Sequence, residues 1–108
     1  MIVTLAERKK AQVERIRGGV ERLRGELAGY GTAHGGRFWL YGSAATGDLR
    51  YDSDVDILVD FEPPTLSAAV GFAEQACVRL GLKPDIKPKS WCTPEFIRRI
   101  AAKTLVLP

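Results

Sequence analysis

Cysteine and histidine are scarce in this 108-residue chain, which holds two of the first, Cys77 and Cys92, and one of the second, His34. The two thiols form no CxxC pair, so a disulfide framework is excluded. They read as reduced, partly buried cysteines of a cytoplasmic protein. A lone histidine with no Cys or second His beside it reads as a solvent-facing loop residue rather than a zinc ligand. Long apolar runs are also missing: the longest are of the kind Phe38-Trp39-Leu40-Tyr41, whereas a membrane span needs roughly 20 residues. The N-terminus, MIVTLAERKK, has no apolar core ahead of a cleavage site, so no signal peptide is expected. Two Trp, three Tyr and four Phe, with no interleaved basic–aromatic run, speak against a direct nucleic-acid binder. Repeats, linkers and low-complexity segments are absent, and the length fits one domain, 1–108.

What is present is ordinary globular composition, 45% hydrophobic and 27% charged, which excludes wholesale disorder. The net charge of +3 conceals three blocks. Residues 1–30 carry seven Lys/Arg against four Glu. Residues 48–62 carry Asp48, Asp52, Asp54, Asp56, Asp60 and Glu62 against Arg50 alone. Residues 63–108 are basic again, with seven Lys/Arg against three acids. A basic chain with one acidic pocket suits a protein that binds a polyanion through a divalent metal, although solvated basic helices around an acidic turn would look the same by charge alone.

Hydrophobic spacing orders the elements. Thr4-Leu5-Ala6-Glu7 has capping-box form, and Val13, Ile16, Val20, Leu23 and Leu27 follow on one helical stripe, giving an N-terminal helix over 1–28. Residues 29–36 hold four glycines and read as a loop. Arg37 to Tyr41 reads as a first strand. Gly42 to Asp52 is a turn region with a short helix starting at Ser43. Asp54 to Phe61 is a second strand, with Val55, Ile57, Val59 and Phe61 on one face and Asp54, Asp56, Leu58 and Asp60 on the other. A helix over Thr65–Leu80 ends at Gly81. Leu82 to Lys87 is a short strand, with Pro84 marking either its start or an edge. Thr93-Pro94 caps a last helix running to about Lys103, with Phe96, Ile97, Ile100 and Ala101 inward. Thr104 to Pro108 is an apolar tail that adds a strand or docks elsewhere. The expected fold is α/β (α+β), a small mixed sheet with helices packed on one side and a core over 37–108.

One constellation carries chemistry: Gly42-Ser43, ten residues, then Asp54-Val55-Asp56. Two aspartates two apart on a strand leave the same face about 7 Å apart. Like charges so placed are costly unless something positive sits between them. A hard, oxygen-liganded cation such as Mg²⁺ fits, and it typically takes phosphate oxygens too. Gly42 permits close backbone approach, and Ser43 offers a hydroxyl and an N–H at the start of a short helix, which suits a phosphate. A lone DxD is more often a solvated strand edge; the Gly-Ser turn and the apolar back face are what raise this one above that. Two rival phosphate motifs fail. Gly42-Ser43-Ala44-Ala45-Thr46-Gly47 has two Walker-type glycines, but Asp48 stands where the lysine must be, and no GxGxxG occurs.

The run GSAATGDLRYDSDVDILVDF, residues 42–61, resembles the signature of the nucleotidyltransferase superfamily that includes DNA polymerase beta, and most of all its minimal nucleotidyltransferases (MNT domains). The resemblance implies that Gly42 and Ser43 hold the β- and γ-phosphates of a nucleoside triphosphate, that Asp54 and Asp56 bind two Mg²⁺ ions, with Mn²⁺ an alternative, and that Asp85 is the third metal-binding and catalytic carboxylate. It implies transfer of a nucleoside monophosphate with release of pyrophosphate. Many relatives have Arg where this chain has Thr46, which shifts phosphate binding toward Arg50 or Lys87. Chains of this minimal type resemble the antitoxin of HEPN/MNT toxin–antitoxin pairs, which implies AMP transfer from ATP to a HEPN-type partner protein. Two alternatives stand beside it: a non-catalytic module that masks a partner through the stripe 13–27 or the tail 105–107, and a homodimeric small-molecule nucleotidyltransferase. An Asp85 paired with surface lysines is the competing reading of that residue.

Overall fold

The apolar stripe builds one long helix, α1 (Leu5–His34), in the computed structural model, which describes residues 4–107. Residues 1–3 and 108 of the expected unit lie outside the described residues. The Thr4 hydroxyl accepts a hydrogen bond from the Glu7 N–H at 3.1 Å, as the capping pattern predicts. Ile16, Val20, Leu23 and Leu27 are buried, and burying a leucine fully is worth about 1.5–3 kcal/mol.

Most of the expected loop at 29–36 is instead the end of α1, which runs through 29–34, so the helix does not end at 28. Gly35, in the left-handed conformation at φ 75°, closes it. The helix tolerates Gly29 and Gly31 because tertiary contacts outweigh their poor propensity. Tyr30 stacks on Phe72 with centroids 4.2 Å apart and lies within 5.9 Å of Phe61. Gly31 is buried where the chain returns, and a Cβ there would stand 2.8 Å from the Gly36 carbonyl oxygen. His34 is in this final turn, exposed, its ring stacked on Tyr30.

Five segments come next: β1 (Arg37–Tyr41), α2 (Ser43–Thr46), β2 (Val55–Asp60), α3 (Pro63–Arg79) and β3 (Pro84–Pro88). A 3₁₀ turn (Lys89–Trp91), α4 (Pro94–Ile100), a second 3₁₀ turn (Ala101–Lys103) and β4 (Thr104–Leu107) follow. The mixed sheet runs β3-β2-β1-β4. β1 is antiparallel to β2 and β4, while β2 and β3 are parallel and joined through α3. β3, with its two prolines, is an edge strand. The apolar tail becomes the other edge, with Leu107 opposite Phe38 and buried in the core.

The core forms between one sheet face and the helices α1 and α3. Phe38, Leu40, Val55, Ile57, Val59 and Phe61 meet Leu23, Leu27, Ala69, Ala73, Ala76 and Cys77 there. Helices do not cover that side alone. Leu58, on the face expected to be polar, is fully buried. The chain after β3 crosses this second face: Lys89 Nζ lies 4.9 Å from the Trp39 ring centroid, and Phe96 meets Tyr41 edge-on at 5.7 Å. Phe96, Ile97 and Ile100 of α4 are half-buried, whereas Ala101, expected inward, is exposed. Cys77 is buried and Cys92 half-buried, and neither forms a disulfide. Among the described residues, no helix is long and apolar enough to cross a membrane.

Candidate active site

Strand register brings the acidic residues together. Asp56 of β2 lies opposite Asp85 of β3 on one side and opposite Tyr41 of β1 on the other. A period of two along each strand places the three on one face. The sheet ladder therefore joins two carboxylates that stand far apart in the chain.

Gly42 makes room for one of them. Directly after β1, its backbone takes φ 66° and ψ −145°, a conformation reserved for glycine. A Cβ on Gly42 would lie 2.7 Å from Asp56 Oδ2. The glycine thus serves twice: it turns the chain into α2, and it leaves the space that the Asp56 carboxylate enters. Ser43 opens α2, so its N–H and that of Ala44 belong to the first turn, which has no intrahelical partners. Gly47 at φ 85° ends α2, and Arg17 Nη1 of α1 donates to its carbonyl at 3.3 Å.

The loop back to β2 is held locally. The Arg50 N–H donates to Ser53 Oγ at 2.7 Å, the Ser53 N–H donates to the Arg50 carbonyl, and Thr46 Oγ1 donates to Asp48 Oδ2. Asp54 sits just ahead of β2 and is exposed. The Val55 N–H donates to the Lys83 carbonyl at 2.8 Å, which aligns β2 with β3 at the point where the acidic residues begin.

Electrostatics mark Asp56 as the strained member. Its pKa rises from 3.8 to about 6, through desolvation first, then the charge of Asp85 and a hydrogen bond with it, with a smaller push from Asp54 and with Lys87 opposing. Lys87, two residues after Asp85, donates to Asp85 Oδ1 at 3.0 Å and reaches Tyr41 OH at 3.4 Å. Hydrogen bonding to Asp85 holds the Lys87 ammonium above its usual pKa, and desolvation raises that of Tyr41. By contrast, burial alone pushes the Cys77 thiol to about 11, which makes it an inert core group.

Of the residues singled out from the sequence, Asp56, Asp85 and Gly42 meet, Ser43 follows Gly42 in the chain, and Asp54 stands at the exposed rim. The donor set suits a hard divalent ion, being carboxylate oxygens with crowded negative charge. Among the described residues, no three His, Cys, Asp or Glu side chains already converge on one point. Sequence reasoning left Tyr41 out of the site. Its signal was available: it directly precedes the Gly-Ser turn at the end of a strand.

The fold has counterparts among known proteins. A family model for the nucleotidyltransferase domain matches residues 20–107. The protein adenylyltransferase MntA of Thermococcus cleftensis is 44% identical over 52 residues, covering 47% of this chain and 52% of that protein. The chain therefore spans about half the length of the curated relative it matches. A solved chain described as a minimal nucleotidyltransferase superposes with a TM-score of 0.63 at 26% identity, over 80% of this chain and 93% of that one. With the family pattern extending across the glycine–serine turn, the acidic strand pair and the final strand, the chain belongs to the nucleotidyltransferase domain family.

Proposed function

We propose that this chain is a metal-dependent nucleotidyltransferase that moves AMP from ATP to a hydroxyl of a partner protein, as the antitoxin of a HEPN/MNT-type pair. One observation carries the reading: the Asp56 carboxylate, with Asp85 across the strand pair, fills the space left by Gly42 at the entrance to the Ser43 turn. The Thermococcus relative, by its name a protein adenylyltransferase, supports AMP as the group moved and protein as its acceptor.

Each residue has a task in that reaction. Asp54, Asp56 and Asp85 would hold two magnesium or manganese ions, which when bound would offset charge on the phosphates. The Ser43 hydroxyl and the first-turn N–H groups of α2 bind the β- and γ-phosphate oxygens. The acceptor oxygen attacks the α-phosphorus while the bond from that phosphorus to the bridging oxygen of the β-phosphate breaks. Pyrophosphate leaves, and the hydroxyl proton passes to the Asp85 carboxylate. The flanking Lys87, Lys89 and Arg17 suit a polyanionic substrate.

The test is transfer itself. Purified chain, Mg²⁺, ATP labelled on the α-phosphate and the HEPN-type partner are incubated together. Label is expected on the partner, and the Asp54→Ala/Asp56→Ala variant is expected to abolish it. An unlabelled partner, with both proteins folded, would sink the reading. A masking role has one observation in its favour, a cleft of about 500 Å³ walled by Leu66, Val70, Ile86, Pro88 and the exposed Trp91. Neutralisation of the partner that survives the double substitution would select that role instead.

A further inference from the structure

We infer that Lys87 is the resident counter-cation of the carboxylate pair, and that by holding Asp85 it sets how tightly the site takes a divalent ion. This rests on the nucleotidyl transfer reading above and adds a residue that governs the same site.

Two contacts define its position. The Lys87 Nζ lies 3.0 Å from Asp85 Oδ1 on β3 and 3.4 Å from Tyr41 OH on β1. Those strands are not neighbours; β2 runs between them, with Asp56 in register with both Tyr41 and Asp85. An ammonium that touches Asp85 on one side and Tyr41 on the other therefore spans β2 beside Asp56. In register, Lys87 itself pairs with Leu58, so its side chain leans along the sheet to reach this row.

An ordinary surface ion pair does not need this reach. The Asp85 and Lys87 side chains are 45% and 44% exposed, and a pair so open to water adds little to folding. Its effect falls instead on what else can approach the same oxygens. Asp85 Oδ1 cannot give its full charge to the ammonium and to a divalent ion at once. A positive group within contact distance also repels a second cation, and the repulsion is strongest where the site is partly desolvated. A divalent ion entering the pair must therefore loosen Lys87 from Asp85.

The experiment is direct titration of Mn²⁺, with free ion read by electron paramagnetic resonance in the absence of nucleotide. Wild type, Lys87→Met, Lys87→Gln, Asp85→Asn and the Lys87→Met/Asp85→Asn double variant are compared, with thermal melting to show that each is folded. Both neutral substitutions at 87 are expected to tighten Mn²⁺ binding roughly three- to tenfold. The gain is expected to shrink when Asp85 is already Asn, because the contact that it relieves is gone. Equal or weaker binding in both Lys87 variants, with wild type binding Mn²⁺, overturns the inference and leaves the transferase reading standing. The same gain with Asn at 85 also overturns it, because the effect is then general charge rather than the contact. No Mn²⁺ binding by any folded variant overturns both.

Discussion

Replacing Asp56 with Asn is expected to stabilise the protein at neutral pH by an amount that disappears in acid. In the folded chain, burial and Asp85 raise the Asp56 pKa from 3.8 to about 6. At about 1.4 kcal/mol per pH unit, that gap corresponds to roughly 3 kcal/mol. The side chain is only partly buried, so solvent screening reduces the effect to about 1–1.5 kcal/mol. The direction follows from proton counts. Between about pH 4 and pH 6 the folded state keeps the Asp56 proton and the unfolded chain has released it. Stability from this group therefore falls as pH rises through that window, then levels off above it. Asn preserves the shape of the side chain and carries no charge, so the decline vanishes. Urea denaturation of wild type and Asp56→Asn at pH 4, 5, 6 and 7.5, in buffer with chelator, measures the difference. It should lie near zero at pH 4 and reach about 1–1.5 kcal/mol in favour of the variant at pH 7.5. A difference that does not change with pH, or a wild type that is the more stable at pH 7.5, would refute the account of a crowded carboxylate pair. Millimolar Mg²⁺ should narrow the gap at pH 7.5, because an ion bound only by the folded wild type adds to its stability by mass action.

Other substitutions probe the same construction. Gly42→Ala places a methyl 2.7 Å from Asp56 Oδ2 on a backbone at φ 66°; it should cost about 1–3 kcal/mol in thermal melting and abolish label transfer. Gly29 and Gly31 should respond in opposite senses although they stand two apart in one helix. At Gly29 a Cβ meets nothing within 4 Å, so Gly29→Ala should gain about 0.5–1 kcal/mol. At Gly31 it meets the Gly36 carbonyl oxygen at 2.8 Å, so Gly31→Ala should lose about 1–3 kcal/mol. Chemical denaturation of the two variants checks the pair, and equal responses would show that α1 does not reach His34 against β1.

Local pattern determined much of this protein without help from tertiary structure. The 3–4 spacing of Ile16, Val20, Leu23 and Leu27 specified the buried stripe of α1, because a helix repeats every 3.6 residues whatever it packs on. Alternation did the same for Val55, Ile57 and Val59 on β2. Thr4 and Thr93 announced their helices through side-chain caps that act within three residues. Gly42, Ser43, Asp54 and Asp56 formed a readable motif because they are neighbours in the chain. Features that require distant residues to meet were decided only by the fold. The passage of α1 through Gly29 and Gly31 depends on Tyr30 stacking against Phe72 and on β1 returning beside the helix. Leu58 is buried because the segment after β3 crosses the opposite face. The pairing of Asp56 with Asp85, and the reach of Lys87 across β2 to Tyr41, come from strand register. Periodicity tells each residue which face it occupies, but which strand lies alongside is settled by the packing of the whole chain.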